Sequence, residues 1–157
     1  MTQNFTTLQE AKQFLRDNFE KGELCPCCGQ LVKLYKINLG VGMARVLIEM
    51  YRLTAASTEV VRWIHPISEL RTVNGDYAKL RFWGLVEEKG DDVPDDKKAS
   101  GYWRITSKGM DFVNDSLTVQ KKAHIFNNRC LGFSGEQIGI KQALGTKFDY
   151  HELMKGF

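Results

Sequence analysis

The chain has few of the features that mark membrane, secreted or exported proteins. No apolar run approaches the length of about 18 residues that a membrane-spanning helix needs, so the sequence predicts no membrane partner. Its first residues, MTQNFTTLQEAKQF, contain no apolar core of a signal peptide, and we therefore expect a cytoplasmic protein. Thiols stay reduced in that compartment, so clustered cysteines favour metal binding or redox chemistry over structural disulfides.

Signatures of catalysis are also missing. The three histidines lie far apart in the sequence, and no Gly-x-x-x-x-Gly-Lys phosphate loop is present. The stretch GVG at 40–42 is too short for a dinucleotide fingerprint. A group of aspartates at 91–96 has no glutamate at the far end of an EF-hand pattern, so a calcium loop is not expected. These absences predict that the protein is not an enzyme.

What the chain does contain is typical of a globular protein with uneven charge. It has 157 residues, of which 43% are hydrophobic and 26% charged, enough for one domain or a domain with a small appendage. The net charge is only +3, but eight basic and four acidic residues lie between Lys33 and Arg81. Six acids and one base follow between Glu87 and Asp96. Positive charge is therefore concentrated in the middle of the chain, and a short acidic segment follows it directly.

Hydrophobic spacing predicts an α+β chain in three parts. Residues 1–40 are expected to form a helix that begins at a Thr7–Glu10 capping box, followed by a cysteine hairpin and a strand over 31–39. Residues 41–118 are expected to form a helix, a short strand at 59–66, two further helices, a two-stranded hairpin and another helix. Residues 119–157 should add a strand, then helices capped by Ser134 and Asp149.

The order of elements from 42 to 109 resembles the winged helix-turn-helix family of bacterial and phage regulators. YAKLRFWGLVEE is similar to the exit of a recognition helix into the wing, where glycine turns the chain. WRITSKGMDFV is similar to the second wing strand, whose Thr-x-x-Gly turn starts the next helix. Apolar side chains of these segments are expected to pack against the helix that begins near residue 41. They are Leu80, Trp83, Leu85, Trp103 and Ile105 on one side and Val46, Leu47 and Met50 on the other.

The resemblance implies that double-stranded DNA is the partner. The second helix of such proteins enters the major groove, so Asn74, Tyr77, Lys79 and Arg81 would face bases or phosphates. Arg62 and Arg71 are candidates to contact the phosphate backbone of the DNA.

One departure from the family favours an alternative. The wing tip, GDDVPDDKK, is acidic and would be repelled by phosphate. A protein-interaction module, acting as an adaptor or inhibitor without binding DNA, is therefore the second hypothesis.

The stretch CPCCG contains the pattern Cys-Pro-x-Cys-Gly, with Cys25 and Cys28 as its two cysteines. It resembles the knuckle of zinc ribbons and rubredoxin-like sites, which implies structural zinc. A full site needs four ligands, and the chain has no second Cys-x-x-Cys. His124 and Cys130 are the best candidates to complete it. A metal shared by two chains and a knuckle that has lost its metal are left open, whereas a redox site is disfavoured because a strand follows Cys28.

The C-terminal segment leaves oligomeric state open. Flanking helices of winged-helix regulators commonly build a dimer interface, so by analogy the segment 119–157 or the N-terminal helix would contact a second copy. The alternative is that these helices complete the core of the monomer. The chain as a whole is similar to small proteins carried by bacteriophages and integrated elements, a likeness that implies no particular activity.

Overall fold

The computed structural model describes residues 7–59, 61–72, 75–90 and 101–155, and it combines short helices with antiparallel strands, as an α+β chain should. The α-helices are α1 (Leu8–Asn18), α2 (Val41–Ala56), α3 (Pro66–Glu69), α4 (Ser107–Val113), α5 (Ile140–Leu144) and α6 (Tyr150–Lys155). A 3₁₀ helix spans Tyr77–Trp83. The strands are β1 (Glu23–Leu24), β2 (Leu31–Val32), β3 (Tyr35–Asn38), β4 (Val86–Glu88), β5 (Trp103–Ile105), β6 (Val119–Phe126) and β7 (Arg129–Ile138). None of the helices in the described part of the chain is long and apolar enough to cross a membrane.

Helix α1 begins where the capping box predicts. The Thr7 hydroxyl accepts a hydrogen bond from the backbone N–H of Glu10 at 3.2 Å, which satisfies one of the donors that every helix start leaves open. The strand predicted over 31–39 is divided in two. Strand β2 pairs with β1 around the cysteine turn, whereas β3 joins a different sheet. The break falls at Leu34, which is buried and donates its N–H to the carbonyl of Phe19 at 2.8 Å, so the chain is anchored to the end of α1 between the two strands.

The central elements occur in the predicted order around one core. All the apolar residues that the sequence assigned to this core, from Val46 to Ile105, are buried. The strand predicted at 59–66 is wrong in extent, because in the described part of that segment only Ile64 pairs. Ile64 and Trp103 exchange two backbone hydrogen bonds of 2.8 Å, which attaches the segment to the edge of the β4–β5 hairpin. Pro66 then opens α3, where its missing N–H costs nothing.

The helix before the hairpin is a 3₁₀ helix. A 3₁₀ helix has three residues per turn, so Tyr77, Leu80 and Trp83 form one straight row, and this row faces the core. The helix ends at Gly84, whose φ of 74° is left-handed and favours glycine, as the sequence predicted.

The C-terminal segment differs most from the prediction. A single strand was expected over 121–133, but β6 and β7 form a long hairpin joined at Asn127 and Asn128, both with positive φ (50° and 61°). Two adjacent asparagines with positive φ suit the type I′ turn that matches strand twist. The capping box expected at Ser134 is therefore wrong, because Ser134 lies within β7 and α5 begins only at Ile140. The cap at Asp149 is confirmed, since its carboxylate accepts the N–H of Glu152 at 3.1 Å.

Strand pairing joins the two ends of the chain. Strand β3, from the predicted N-terminal part, pairs with β6 from the predicted C-terminal part, with Tyr35 opposite Ile125 and Asn38 opposite Lys122. Buried residues of the tail, such as Ile140 and Leu144, belong to the same hydrophobic cluster as α2. The C-terminal segment thus completes the core of the single chain.

Gly109 in α4 gives the first prediction. A Cβ at this position would overlap the carbonyl oxygen of Leu85 and lie 2.7 Å from Cγ1 of Ile105. The Leu85 oxygen belongs to the backbone, so it cannot move aside as the end of a flexible side chain could. Gly109→Ala should therefore lower the free energy of unfolding by about 2 kcal/mol or more, measured by urea denaturation. Gly132→Ala is the matched control, since its Cβ would meet no atom within 4 Å. Equal stabilities of the two variants would contradict this account.

Candidate nucleic-acid interface

The 3₁₀ helix distributes the predicted DNA-contacting residues over different rows. Tyr77 belongs to the core row, is half-buried, and places its ring edge-on to Trp103 with centroids 5.8 Å apart. Arg81 follows Ala78 in the second row, and Lys79 precedes Phe82 in the third. Tyr77 therefore packs inward, whereas Lys79 and Arg81 lie on two different outer rows.

Both outer cations have partners within the chain. The Lys79 ammonium contacts a carboxylate oxygen of Asp76 at 2.9 Å, and 43% of the Lys79 side chain stays exposed. Arg81 donates to the side-chain oxygen of Asn128 at 2.6 Å and to the carbonyl of Ala78 at 3.0 Å. Its guanidinium also lies over the ring of Phe82, 4.6 Å from the centroid. Arg81 is thus held against the β6–β7 turn, and Lys79 is the more available of the two.

Arg62 is held by an acid of the next helix. It forms an ion pair with Glu69 and donates to the carbonyl of Trp63 at 2.7 Å. Glu69 also accepts the backbone N–H of His65 at 2.5 Å. Partial burial tends to raise the pKa of Glu69, but the His65 N–H and the Arg62 guanidinium together hold this pKa below its ordinary value. Arg62 accordingly stabilises the start of α3.

The loop before the 3₁₀ helix is attached to α2 by a buried carboxylate that the sequence analysis did not single out. Glu49 is only 6% exposed and accepts the backbone N–H groups of Arg71 at 2.6 Å and Thr72 at 3.2 Å. Its position between Ile48 and Met50, inside the apolar stretch of α2, is the sequence signal that could have identified it. The side chain of Arg71 is exposed at the start of this loop, whereas Asn74 lies outside the described residues.

The outer side of the β4–β5 hairpin carries an aromatic and basic group that the sequence analysis also missed. Arg104 pairs with Glu87 across the two strands. The guanidinium of Arg104 and the ammonium of Lys89 both lie over the ring of Trp63, at 5.1 Å and 5.8 Å from its centroid. Cations over an indole face are held by the ring quadrupole. The acidic wing tip at 91–96 lies outside the described residues.

The cysteine turn has the geometry expected of a knuckle. Cys25 donates its N–H to the carbonyl of Gln30 at 2.8 Å, and Gly29 donates to the carbonyl of Cys25 at 2.9 Å. Gly29 has a φ of 75°, a left-handed conformation that favours glycine directly after the second cysteine. Backbone N–H groups of Cys27 and then Cys28, the largest contributions, lower the pKa of the Cys25 thiol. A thiol with a lowered pKa loses its proton to solvent more readily, and the thiolate is the form that binds a metal.

The two residues proposed to complete a zinc site are engaged elsewhere. His124 on β6 is hydrogen-bonded through Nε2 to the hydroxyl of Ser134 at 2.6 Å. Cys130 on β7 donates its thiol to the carbonyl of Gly132 at 3.3 Å. Within the residues that the structure describes, no group of three or more Cys, His, Asp or Glu side chains is arranged to hold a metal ion. The four predicted ligands are therefore not assembled within one chain, and zinc at Cys25 and Cys28 stays a prediction.

Comparison with known protein families, curated proteins and solved structures finds no match for this chain. Its function must therefore be inferred from the arrangement of its own residues.

Glu49 gives the second prediction. Glu49→Ala leaves two backbone donors of the loop without an acceptor, so it should lower the free energy of unfolding by about 1–3 kcal/mol in urea denaturation. Glu49→Gln keeps one acceptor oxygen and should recover part of this loss. If Glu49→Gln is as destabilised as Glu49→Ala, the role assigned to the acceptor oxygen is wrong.

Glu69 gives the third prediction, which concerns pH. The folded state lowers the pKa of Glu69, so its contribution to stability is present above the ordinary carboxyl pKa and is lost as pH falls through the folded-state pKa. Wild type should therefore exceed Glu69→Gln in free energy of unfolding at about pH 7, and the difference should shrink towards about pH 3.5. Urea titrations at both pH values measure it. A difference that does not change with pH would rule out this linkage.

Proposed function

We propose that this protein binds double-stranded DNA through the 3₁₀ helix and the loop before it. The observation that carries the proposal is the arrangement of the central elements around one core. Helix α2 packs against the 3₁₀ helix and β5, the β4–β5 hairpin follows the 3₁₀ helix directly, and the Ile64–Trp103 bridge attaches the segment before α3 to that hairpin. This is the order in which winged helix-turn-helix proteins place a recognition helix beside a wing.

Charge on the outer side of this region supports the same proposal. Arg71, Lys79 and Arg81 contribute three positive charges, and Asp76 is the acid paired with Lys79. An exposed ion pair contributes little to stability, so Lys79 can exchange the Asp76 carboxylate for a phosphate at small cost. Phosphate contacts of this kind would supply most of the affinity.

The dimensions of the 3₁₀ helix limit how DNA is read. At about 2.0 Å per residue, its seven residues extend about 14 Å, close to the roughly 12 Å width of the major groove. One of its three rows is used by the core, so few side chains are left to reach base edges. We therefore expect binding that depends strongly on salt and only weakly on sequence.

The fourth prediction tests this by fluorescence anisotropy of labelled duplex DNA across a salt series. The variant Lys79→Ala/Arg81→Ala should weaken binding at low salt by roughly tenfold or more and reduce the slope of log affinity against log salt by about two. The control Lys36→Ala/Lys122→Ala removes the same charge from the β3–β6 sheet and should bind like wild type. Circular dichroism checks that both variants are folded, because Arg81 also bonds Asn128.

Two results would overturn the proposal. The first is no binding of the folded wild-type protein to any duplex at low salt. The second is an equal loss of binding in the two double variants, which would mean that net charge alone, and not the 3₁₀ helix, determines binding.

A protein partner is the second candidate, and one surface favours it. An apolar groove of about 330 Å³ lies between α1 and the sheet residues near the β6–β7 turn, lined mainly by Leu15, Phe19, Val32, Phe126 and Leu131. Lys12 and Arg16 line the same groove. Exposed apolar surface beside cations suits a partner segment that carries apolar and acidic side chains. This function becomes the leading one if the duplex titration shows no binding.

A further inference from the structure

The cysteine turn presents two metal-binding thiols at the tip of a small hairpin. Cys25 directly follows β1, and Cys28 lies three residues later, before the glycine that closes the turn. Cys25 is half-buried and Cys28 is exposed, and neither is in a disulfide. A Cys-x-x-Cys turn closed by backbone hydrogen bonds can direct both sulfurs to one ion.

These two thiols are half of the ligand set that zinc requires. A structural zinc ion is held by four ligands in a tetrahedron. No third Cys, His, Asp or Glu side chain in the described residues joins Cys25 and Cys28 in a group that could hold a metal. His124 and Cys130, the candidates from the sequence, are hydrogen-bonded within the β6–β7 hairpin. A zinc ion held by Cys25 and Cys28 would therefore need two further ligands.

The same hairpin exposes apolar side chains beside the thiols. Leu24 and Leu31 lie directly opposite each other in the β1–β2 pair, and their exposed fractions are 59% and 60%. Glu23 and Val32 point to the other face because side chains alternate along a strand, and Val32 lines the groove against α1. One face of the hairpin thus borders the groove along α1, while Leu24 and Leu31 on the other face stay mostly exposed in the part of the chain that the structure describes.

We propose that two copies of this chain share one zinc ion between their cysteine turns, with Cys25 and Cys28 of each copy as the four ligands. The leucine faces of the two hairpins then pack against each other around the metal. Each thiol that binds releases its proton to solvent, so the ion is held by four thiolates.

A second copy fits this site better than a different protein does. If a twofold axis passes through the ion, the second copy supplies a second, identical pair of thiolates, and the two pairs together make a tetrahedral set. The same axis places the leucine pairs of the two copies face to face. Two leucines from each chain bury too little area to hold a dimer by themselves. The association should therefore depend on the metal, and it is independent of DNA binding.

The fifth prediction is a zinc-dependent dimer, tested on the full chain in a reducing buffer without DNA. Light scattering after size-exclusion chromatography should give a dimer with about one zinc ion per two chains, and a chelator should return it to monomer. Cobalt(II) in place of zinc should show the absorption of a tetrahedral site with four thiolates.

Matched variants separate the ligands from their neighbours. Cys28→Ser should abolish both zinc binding and the dimer, whereas Cys27→Ser and Cys130→Ser should keep both. Leu24→Gln should keep the ligands but raise the dimer dissociation constant by about tenfold, since it replaces apolar surface that the partner copy covers. Circular dichroism of each variant excludes unfolding as the cause.

Three results would overturn the proposal. They are a monomer that holds one zinc ion per chain and loses it in Cys130→Ser, a dimer that persists in chelator, and a folded protein that binds no zinc. None of them bears on the duplex titration, so the failure of this proposal and the failure of DNA binding remain distinguishable.

Discussion

The hydrogen bond from the buried indole of Trp83 to strand β6 is the interaction on which the rest of the structure depends. The indole ring ends the core row of the 3₁₀ helix, and its N–H donates to the carbonyl of Gln120 on β6 at 2.8 Å. A buried indole N–H without an acceptor would be costly, so the hydrogen bond fixes β6 beside the 3₁₀ helix. Because β6 also pairs with β3, this one side chain connects the central elements to both ends of the chain.

That connection shapes the candidate interface. With β6 fixed beside the 3₁₀ helix, the β6–β7 turn brings Asn128 to Arg81, while the buried carboxylate of Glu49 holds the loop that carries Arg71. The proposed DNA-binding surface is thus built from a short, well-supported helix whose cations already have neighbours. When these cations bind phosphate, they give up their polar contacts within the chain, so the net gain in binding free energy is small. The phosphate contacts themselves make the affinity depend on salt.

The cysteine hairpin follows a different physical rule. A hairpin of two residue pairs cannot bury enough apolar surface to be stable alone, so it depends on contacts with α1 or on a metal. The backbone bond from Leu34 to Phe19 ties the segment after β2 to the end of α1, and the thiols of Cys25 and Cys28 offer a metal site. Shared zinc would stabilise the hairpin and join two chains in one step. Two linked copies would also present two 3₁₀ helices, although neither proposal requires the other.

The sequence by itself determined the local features: the Thr7 cap, the glycine stop at Gly84, and the burial of the eight apolar residues assigned to the central core. Each depends on a residue's own conformational preference or on the spacing of its neighbours. Only the tertiary structure decided the pairing of β3 with β6, the 3₁₀ form of the central helix and the partners of Glu49 and Arg81. Except for the 3₁₀ form, these are contacts between residues distant in the chain, and local preference carries no information about which distant group will satisfy a buried carboxylate or a strand edge.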